Sequence, residues 1–348
     1  MRSPPITRNS VFMAMAALLA LVAVGADAMQ SRSERARGGD NSCRAEILRL
    51  CGPVDQAAMR QCLQENYAQL SEECQQDLRE RIAQWEAREG PAPQLIAPDS
   101  QIAYGNEPRQ TIDLYIPADG SDRRLPTVVF IHGGGWTMGD RRRVQQKPQW
   151  FHDQGYAFAS IGYQLVPQVT VEEQMQDISK AIFALRANAK NFNLDPDQII
   201  VIGHSAGAHL AALIATDPQY LGKDIAAIKG VILLDGAGYD LPEIMRSPPP
   251  EAQNFYVQAF GSDRERQKTL SPITHVAAPN AKNWLILYVE ERRRSRMQSE
   301  ALADALEASE AIVQLAAVPD TDHGELNRRL GTGQLIADDL ISQFLERM

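Results

Sequence analysis

Cysteine is scarce in this chain of 348 residues: there are four, Cys43, Cys51, Cys62 and Cys74, and none after position 74. No two of them form a close Cys-x-x-Cys pair, which argues against a zinc site. Histidine is nearly as sparse, with six copies, so any reaction needing an imidazole base has few candidates. Positive charge is in deficit: the formal net charge is −9, and no basic stripe interleaved with aromatics runs along the chain. That excludes nucleic acid as a partner. Long apolar runs are missing except from Val11 to Ala26, which is shorter than the ~20 residues that span a bilayer comfortably.

That run has the parts of a targeting segment. Arg2 and Arg8 precede it, and Ala26-Asp27-Ala28 supplies the small residues that signal peptidase reads. Residues 1–28 are therefore expected to be a signal peptide, and the mature protein secreted or periplasmic. Its loss removes Arg2, Arg8 and Asp27, a net +1, and changes −9 to −10. In an exported chain the clustered cysteines read as two disulfides, for which four cysteines allow about three connectivities. Stripes over Arg44–Leu50, Gln56–Tyr67 and Ser71–Trp85 suggest helices, with Gly52-Pro53 as a break. Nested Cys43–Cys74 and Cys51–Cys62 bridges would staple such helices side by side. The expected order is a signal peptide (1–28), a linker (29–42), a cysteine-rich helical module (43–87), a second linker (88–98) and a larger domain (99–348).

The larger domain carries two glycine motifs, each directly after a β-branched apolar run. Thr127-Val128-Val129-Phe130-Ile131 leads into His132-Gly133-Gly134-Gly135-Trp136, and Gln198-Ile199-Ile200-Val201-Ile202 leads into Gly203-His204-Ser205-Ala206-Gly207. Such runs fit strands of a parallel sheet buried on both faces. A strand that turns at once into the Ala- and Leu-rich segment Ala206–Thr216 would hold Ser205 on a tight elbow, its hydroxyl exposed at the carboxyl edge of the sheet. Attack by serine on an acyl carbon creates an oxyanion, and donors must be aimed at it. The N–H groups of Gly134, Gly135 and Ala206 are the candidates, with Gly133 as a substitute. The stripe within 171–191 (Met175, Ile178, Ile182, Phe183, Leu185), the segment Gln298–Ala308 and a last helix at about Gln334–Arg347 alternate with the strands as a doubly wound α/β sheet requires.

The base is expected to be His323, in the polar loop Pro319-Asp320-Thr321-Asp322-His323-Gly324 after the strand Ala311–Val318. His132 belongs to the glycine loop, and His204 and His209 flank the nucleophile. The acid should follow the strand Trp284–Val289, which runs into Glu290-Glu291-Arg292-Arg293-Arg294. Glu291 is the first choice, because Glu290 would continue the strand and point away by period two. Asp235 and Asp240, after the strand Val231–Leu234, are the alternatives. Asp320 and Asp322 lie too close in sequence to orient His323 from behind. The basic clusters Arg141-Arg142-Arg143 and Arg292-Arg293-Arg294 read as loop residues, with Arg142 and Arg293 as contacts for an anionic substrate group.

On these motifs, residues from about Leu95 to Met348 resemble the α/β-hydrolase superfamily, in the branch that includes carboxylesterases, feruloyl-esterase-like and kynurenine formamidase-like proteins. Gly203-His204-Ser205-Ala206-Gly207-Ala208-His209-Leu210 is similar to the elbow of the formamidase-like members, and Leu194-Asp195-Pro196 before the next main strand is a usual feature. The resemblance implies an esterase or amidase that uses no cofactor and no metal and acts through Ser205, His323 and an acid. Many relatives place aspartate where this chain has Glu291. Residues 43–74 resemble a cysteine-rich repeat of a Golgi sialoglycoprotein through Cys43, Ile47, Leu50-Cys51, Cys62-Leu63, Asn66, Leu70-Ser71 and Cys74. That implies an interaction or spacer module with a protein or glycan partner.

The expected function is an exported serine esterase acting on a small-molecule ester, with arylformamidase chemistry or a non-catalytic binding role as alternatives. The stretch Leu241–Gly261, with Phe255, Tyr256 and Phe260, is expected to lie over the site and line an acyl or aryl pocket.

Overall fold

The computed structural model describes residues 40–51, 62, 66–79, 96–117, 123–248, 252–277 and 279–348. The expected signal peptide, most of both linkers and most of the expected helix Gln56–Tyr67 lie outside the described residues. The chain divides into two units, Met1–Pro93 and Gln94–Met348.

In the first unit, helix α1 (Asp40–Cys51) is bridged to the helical stretch 72–79 by Cys43–Cys74, and Cys51 is bonded to Cys62. This is the nested pairing expected from the helical stripes. Cys43, Ile47, Leu70, Cys74 and Leu78 are buried together with the bridge. The two disulfides tie these stretches together covalently.

The second unit is built on eight strands: β1 (Ser100–Ala103), β2 (Thr111–Tyr115), β3 (Leu125–Ile131), β4 (Ala157–Ile161), β5 (Leu194–His204), β6 (Ile228–Leu234), β7 (Asn283–Val289) and β8 (Ile312–Val318). Their spatial order is β1-β2-β4-β3-β5-β6-β7-β8. The pairs β1/β2 and β2/β4 are antiparallel, and every other pair is parallel. The helices that bear on the site are α2 (Lys147–Asp153), α3 (Val171–Asn188), α4 (Ala206–Thr216), α5 (Gln253–Phe260), α6 (Arg293–Ala308), α7 (His323–Arg328) and α8 (Ile336–Leu345).

Period two explains why the central strands read as unbroken apolar runs. Val129, Ile131, Val201, Val231 and Leu233 face one core with residues of α3 and α4, while Val128, Phe130, Ile200, Ile202, Ile232 and Leu234 face a second with residues of α8. Both faces are covered, so neither tolerates a polar side chain. At about 1.5–3 kcal/mol for each buried Val, Leu or Ile, these two layers dominate the unit's stability. Helix α4 is buried at every position from Ala206 to Thr216, which is why its sequence is apolar all round. Helix α3 starts at Thr170, whose hydroxyl accepts the Glu173 N–H while the Glu173 carboxylate accepts the Thr170 N–H.

Candidate active site

The site lies where β5, β6, β7 and β8 end. Strand β5 stops at His204, and helix α4 starts at Ala206, so Ser205 alone makes the turn. Its φ of 58° lies in the left-handed region that side chains other than glycine rarely adopt. The turn closes only because its flanks have no Cβ: a methyl group on Gly207 would collide with the Ile131 carbonyl oxygen, at the end of the neighbouring strand β3.

His323 is the first residue of α7, which the Asp322 carboxylate caps by accepting the N–H groups of Gly324 at 2.8 Å and Glu325 at 2.7 Å. The cap turns the imidazole toward Ser205, with Nε2 at 2.9 Å from Oγ. On the far side of the ring Nδ1 is 2.6 Å from Asp235 Oδ2. A carboxylate only accepts, so Nδ1 carries the proton and Nε2 presents its lone pair to the serine hydroxyl. The carbonyl of His323 accepts the Nε2–H of His204 at 2.7 Å, and the two rings lie 4.6 Å apart, so the residue before Ser205 also holds the backbone of His323. Burial, and then the charge of His323, push His204 well below the usual imidazole range and keep it neutral.

Of the candidate acids it is Asp235, not Glu291, that the structure brings against His323. Glu291 is exposed in the turn that follows β7, with its carbonyl accepting the Arg293 N–H, and Glu290 is exposed beside it. The period-two argument for Glu291 fails because β7 ends at Val289, so neither glutamate is in a strand. The first position after β6 reaches His323 instead. Asp235 has φ 45°, its N–H donates to the Leu287 carbonyl at 2.7 Å, and its Oδ1 accepts the Val289 N–H at 3.1 Å. Backbone of β7 thus fixes both ends of the residue, and the side chain is fully buried. Burial alone would raise its pKa, but His323 and then the Arg292 guanidinium outweigh burial and hold the carboxyl well below the usual carboxylate range. Asp240, the other alternative, accepts the Glu243 N–H at 3.0 Å as the cap of a short helix.

The loop 132–136 abuts Ser205, since a Cβ on Gly133 would lie 3.1 Å from the Ser205 Cβ. Among the described residues, no hydrogen bond occupies the N–H groups of Gly134, Gly135 or Ala206. Gly135 has φ 56°, and a Cβ there would meet the Phe255 ring at 2.8 Å, so the aromatic lies directly on the loop. His132 braces the loop with Nδ1 2.9 Å from the Gly133 carbonyl, and its ring stacks on Tyr163 at 4.2 Å. Trp136 anchors the other end: its Nε1–H donates to His209 Nδ1 at 3.2 Å, and the His209 Nε2–H donates to the Leu270 carbonyl at 2.8 Å. Tyr256 and Phe260 pack edge-on against Trp136 and are buried. They brace the loop rather than line a pocket, and of the three aromatics expected there Phe255 is the one half-buried.

The basic clusters are mostly spoken for. Arg141 pairs with the buried Asp113 at 3.0 Å, Arg142 with Asp140 at 2.8 Å, and the Arg294 guanidinium donates to the Ser247 carbonyl. Arg292, which drew no role of its own from the sequence, contacts both Asp235 and His323. A charged residue at the end of a sheet strand was its only signal.

A mostly parallel, doubly wound sheet with a serine on the β5 elbow and a histidine after β8 defines the α/β-hydrolase class. Within it, the BD-FAE family model matches residues 112–306, more than half of the chain, and the chain belongs to that family. It is 28% identical over 244 residues to the probable isoprenylcysteine alpha-carbonyl methylesterase ICMEL1 of Oryza sativa subsp. japonica, covering 65% of this chain and 56% of that protein. It is 30% identical over 255 residues to esterase LipQ of Mycobacterium tuberculosis (67% and 59% covered), and 25% identical over 248 residues to the kynurenine formamidase of Salmo salar (71% and 80%). Three plant methylesterases are matched over 35% to 56% of their own length. Esterase B of Lactobacillus rhamnosis shares the fold with a TM-score of 0.61 at 23% identity, over 78% of this chain and 96% of that one.

Proposed function

We propose that this protein is a serine hydrolase that cleaves carboxylic esters through an acyl-enzyme, with Ser205 as nucleophile, His323 as base and Asp235 as acid. The observation that carries the reading is the unbroken chain from Ser205 Oγ to His323 Nε2 and from His323 Nδ1 to Asp235 Oδ2. Ser205 Oγ attacks the ester carbonyl carbon as His323 Nε2 takes its proton, and the oxyanion forms against the N–H groups of Gly134, Gly135 and Ala206. Collapse expels the alkoxide, which leaves as the alcohol with the proton from His323. Water, deprotonated by the same imidazole, then attacks the acyl-serine and releases the acid. Buried Asp235 holds Nδ1–H and stabilises the imidazolium between these steps. The names of the esterase relatives support a small-molecule ester as substrate.

The Salmo salar relative, matched over most of its length and named a formamidase, favours a second reading in which the same residues cleave an N-formyl aromatic amide. The signal-like residues 1–28 and the two disulfides support an exported protein, since such bridges persist in oxidising compartments. The cysteine-rich module is read as a spacer or a docking piece for a protein or glycan.

A p-nitrophenyl ester series from acetate to laurate, with N-formylkynurenine in parallel, tests the assignment. Ser205→Ala is expected to abolish turnover, and Asp235→Asn to lower kcat by about 10⁴-fold, as loss of the correct imidazole tautomer does elsewhere. Glu291→Gln should stay within about twofold, as an exposed substitution does. A strong loss in Glu291→Gln with little in Asp235→Asn would overturn the assignment of the acid.

A further inference from the structure

We infer that Arg292 is a positioning residue that clamps the Asp235 carboxylate and thereby holds His323 in line with Ser205. The inference rests on the hydrolase reading above.

The loop after β7 brings no carboxylate to His323. It brings a guanidinium, whose Nη1 donates to Asp235 Oδ2 and lies 2.6 Å from His323 Nδ1. With the proton on Nδ1, both nitrogens are donors, so they do not bond each other and instead share Oδ2 as acceptor. Asp235 Oδ1 is already held by the Val289 N–H. The carboxylate is therefore gripped by backbone on one oxygen and by two side chains on the other, and it has little freedom to rotate away from the imidazole.

The test is kcat and KM for p-nitrophenyl butyrate in wild type, Arg292→Met and Arg292→Lys, with thermal melts on the same preparations. Arg292→Met is expected to lower kcat by about tenfold with KM within about twofold of wild type, because the base is misaimed while the substrate site is untouched. Arg292→Lys, which keeps a donor to Oδ2, is expected to recover most of that loss. A folded Arg292→Met enzyme with wild-type kcat overturns the inference and leaves the hydrolase reading standing. Hydrolysis that survives Ser205→Ala overturns the hydrolase reading itself, and the inference with it.

Discussion

His132, His204 and His209 are kept neutral by burial, and that has a cost when the pH falls. Burial lowers His132 and His209 to about 4, against about 6.5 in an unfolded chain. Their folded pKa is depressed, so the unfolded chain binds more protons between these values. The stability they contribute is complete above about pH 6.5 and is lost as the pH falls toward 4, on the order of 3 kcal/mol for each histidine. Urea midpoints are therefore expected to drop between pH 7 and pH 5. In His209→Gln, whose amide can still donate toward the Leu270 carbonyl, the drop should be smaller, and an equal drop in wild type and variant would contradict this. At the same scale, Ser205 and His323 were legible because each sits in a local pattern: a glycine elbow, and a polar loop after a strand. Asp235 was legible only as an alternative. What brings it rather than Glu291 to His323 is the Val289 N–H on its carboxylate and the point where β7 stops, neither of which is written in the residues near either carboxylate.

Strands and helices tell a similar story of local against distant causes. The central strands and helix α4 were readable because burial on both sides forces continuous apolar runs. Strands β1 and β2 were not, because the edge strand Ser100–Ala103 buries only Ile102 and its neighbour Thr111–Tyr115 places Asp113 in a buried pair with Arg141. No run or alternation marks such elements; their pairing with β4 does. Helix α7 shows an element acting on the chemistry. It is six residues long and short of intrinsic stability, so its cap and the Lys147 amine, which donates to the Asn327 carbonyl, hold the turn that presents His323. Asp322→Ala is expected to lower stability by about 1 kcal/mol. It should also lower kcat more than it raises KM, because the base is misaimed while the substrate site is untouched. Thermal melts and steady-state kinetics on one preparation check both, and unchanged kcat in a destabilised variant would show that the cap serves the fold alone.

Across the whole molecule, the four cysteines belong to the unit Met1–Pro93, and the candidate catalytic residues belong to the unit Gln94–Met348. The doubly wound sheet, the nested bridges and the hydrolase class could all be read from the chain. The contact of His323 with Asp235 just after β6 could be read only as an alternative, and the approach of Arg292 from the loop after β7 could not be read at all. Among the described residues no helix is long and apolar enough to cross a membrane. The central claim is that Ser205 is a nucleophile activated by His323, and covalent labelling tests it most directly. A fluorophosphonate probe, followed by peptide mass mapping of the full chain, is expected to place one adduct on the peptide containing Ser205. The adduct should be absent in Ser205→Ala and form far more slowly in His323→Ala. A folded protein that takes no label, or that takes it on another residue while Ser205 stays free, would contradict the account.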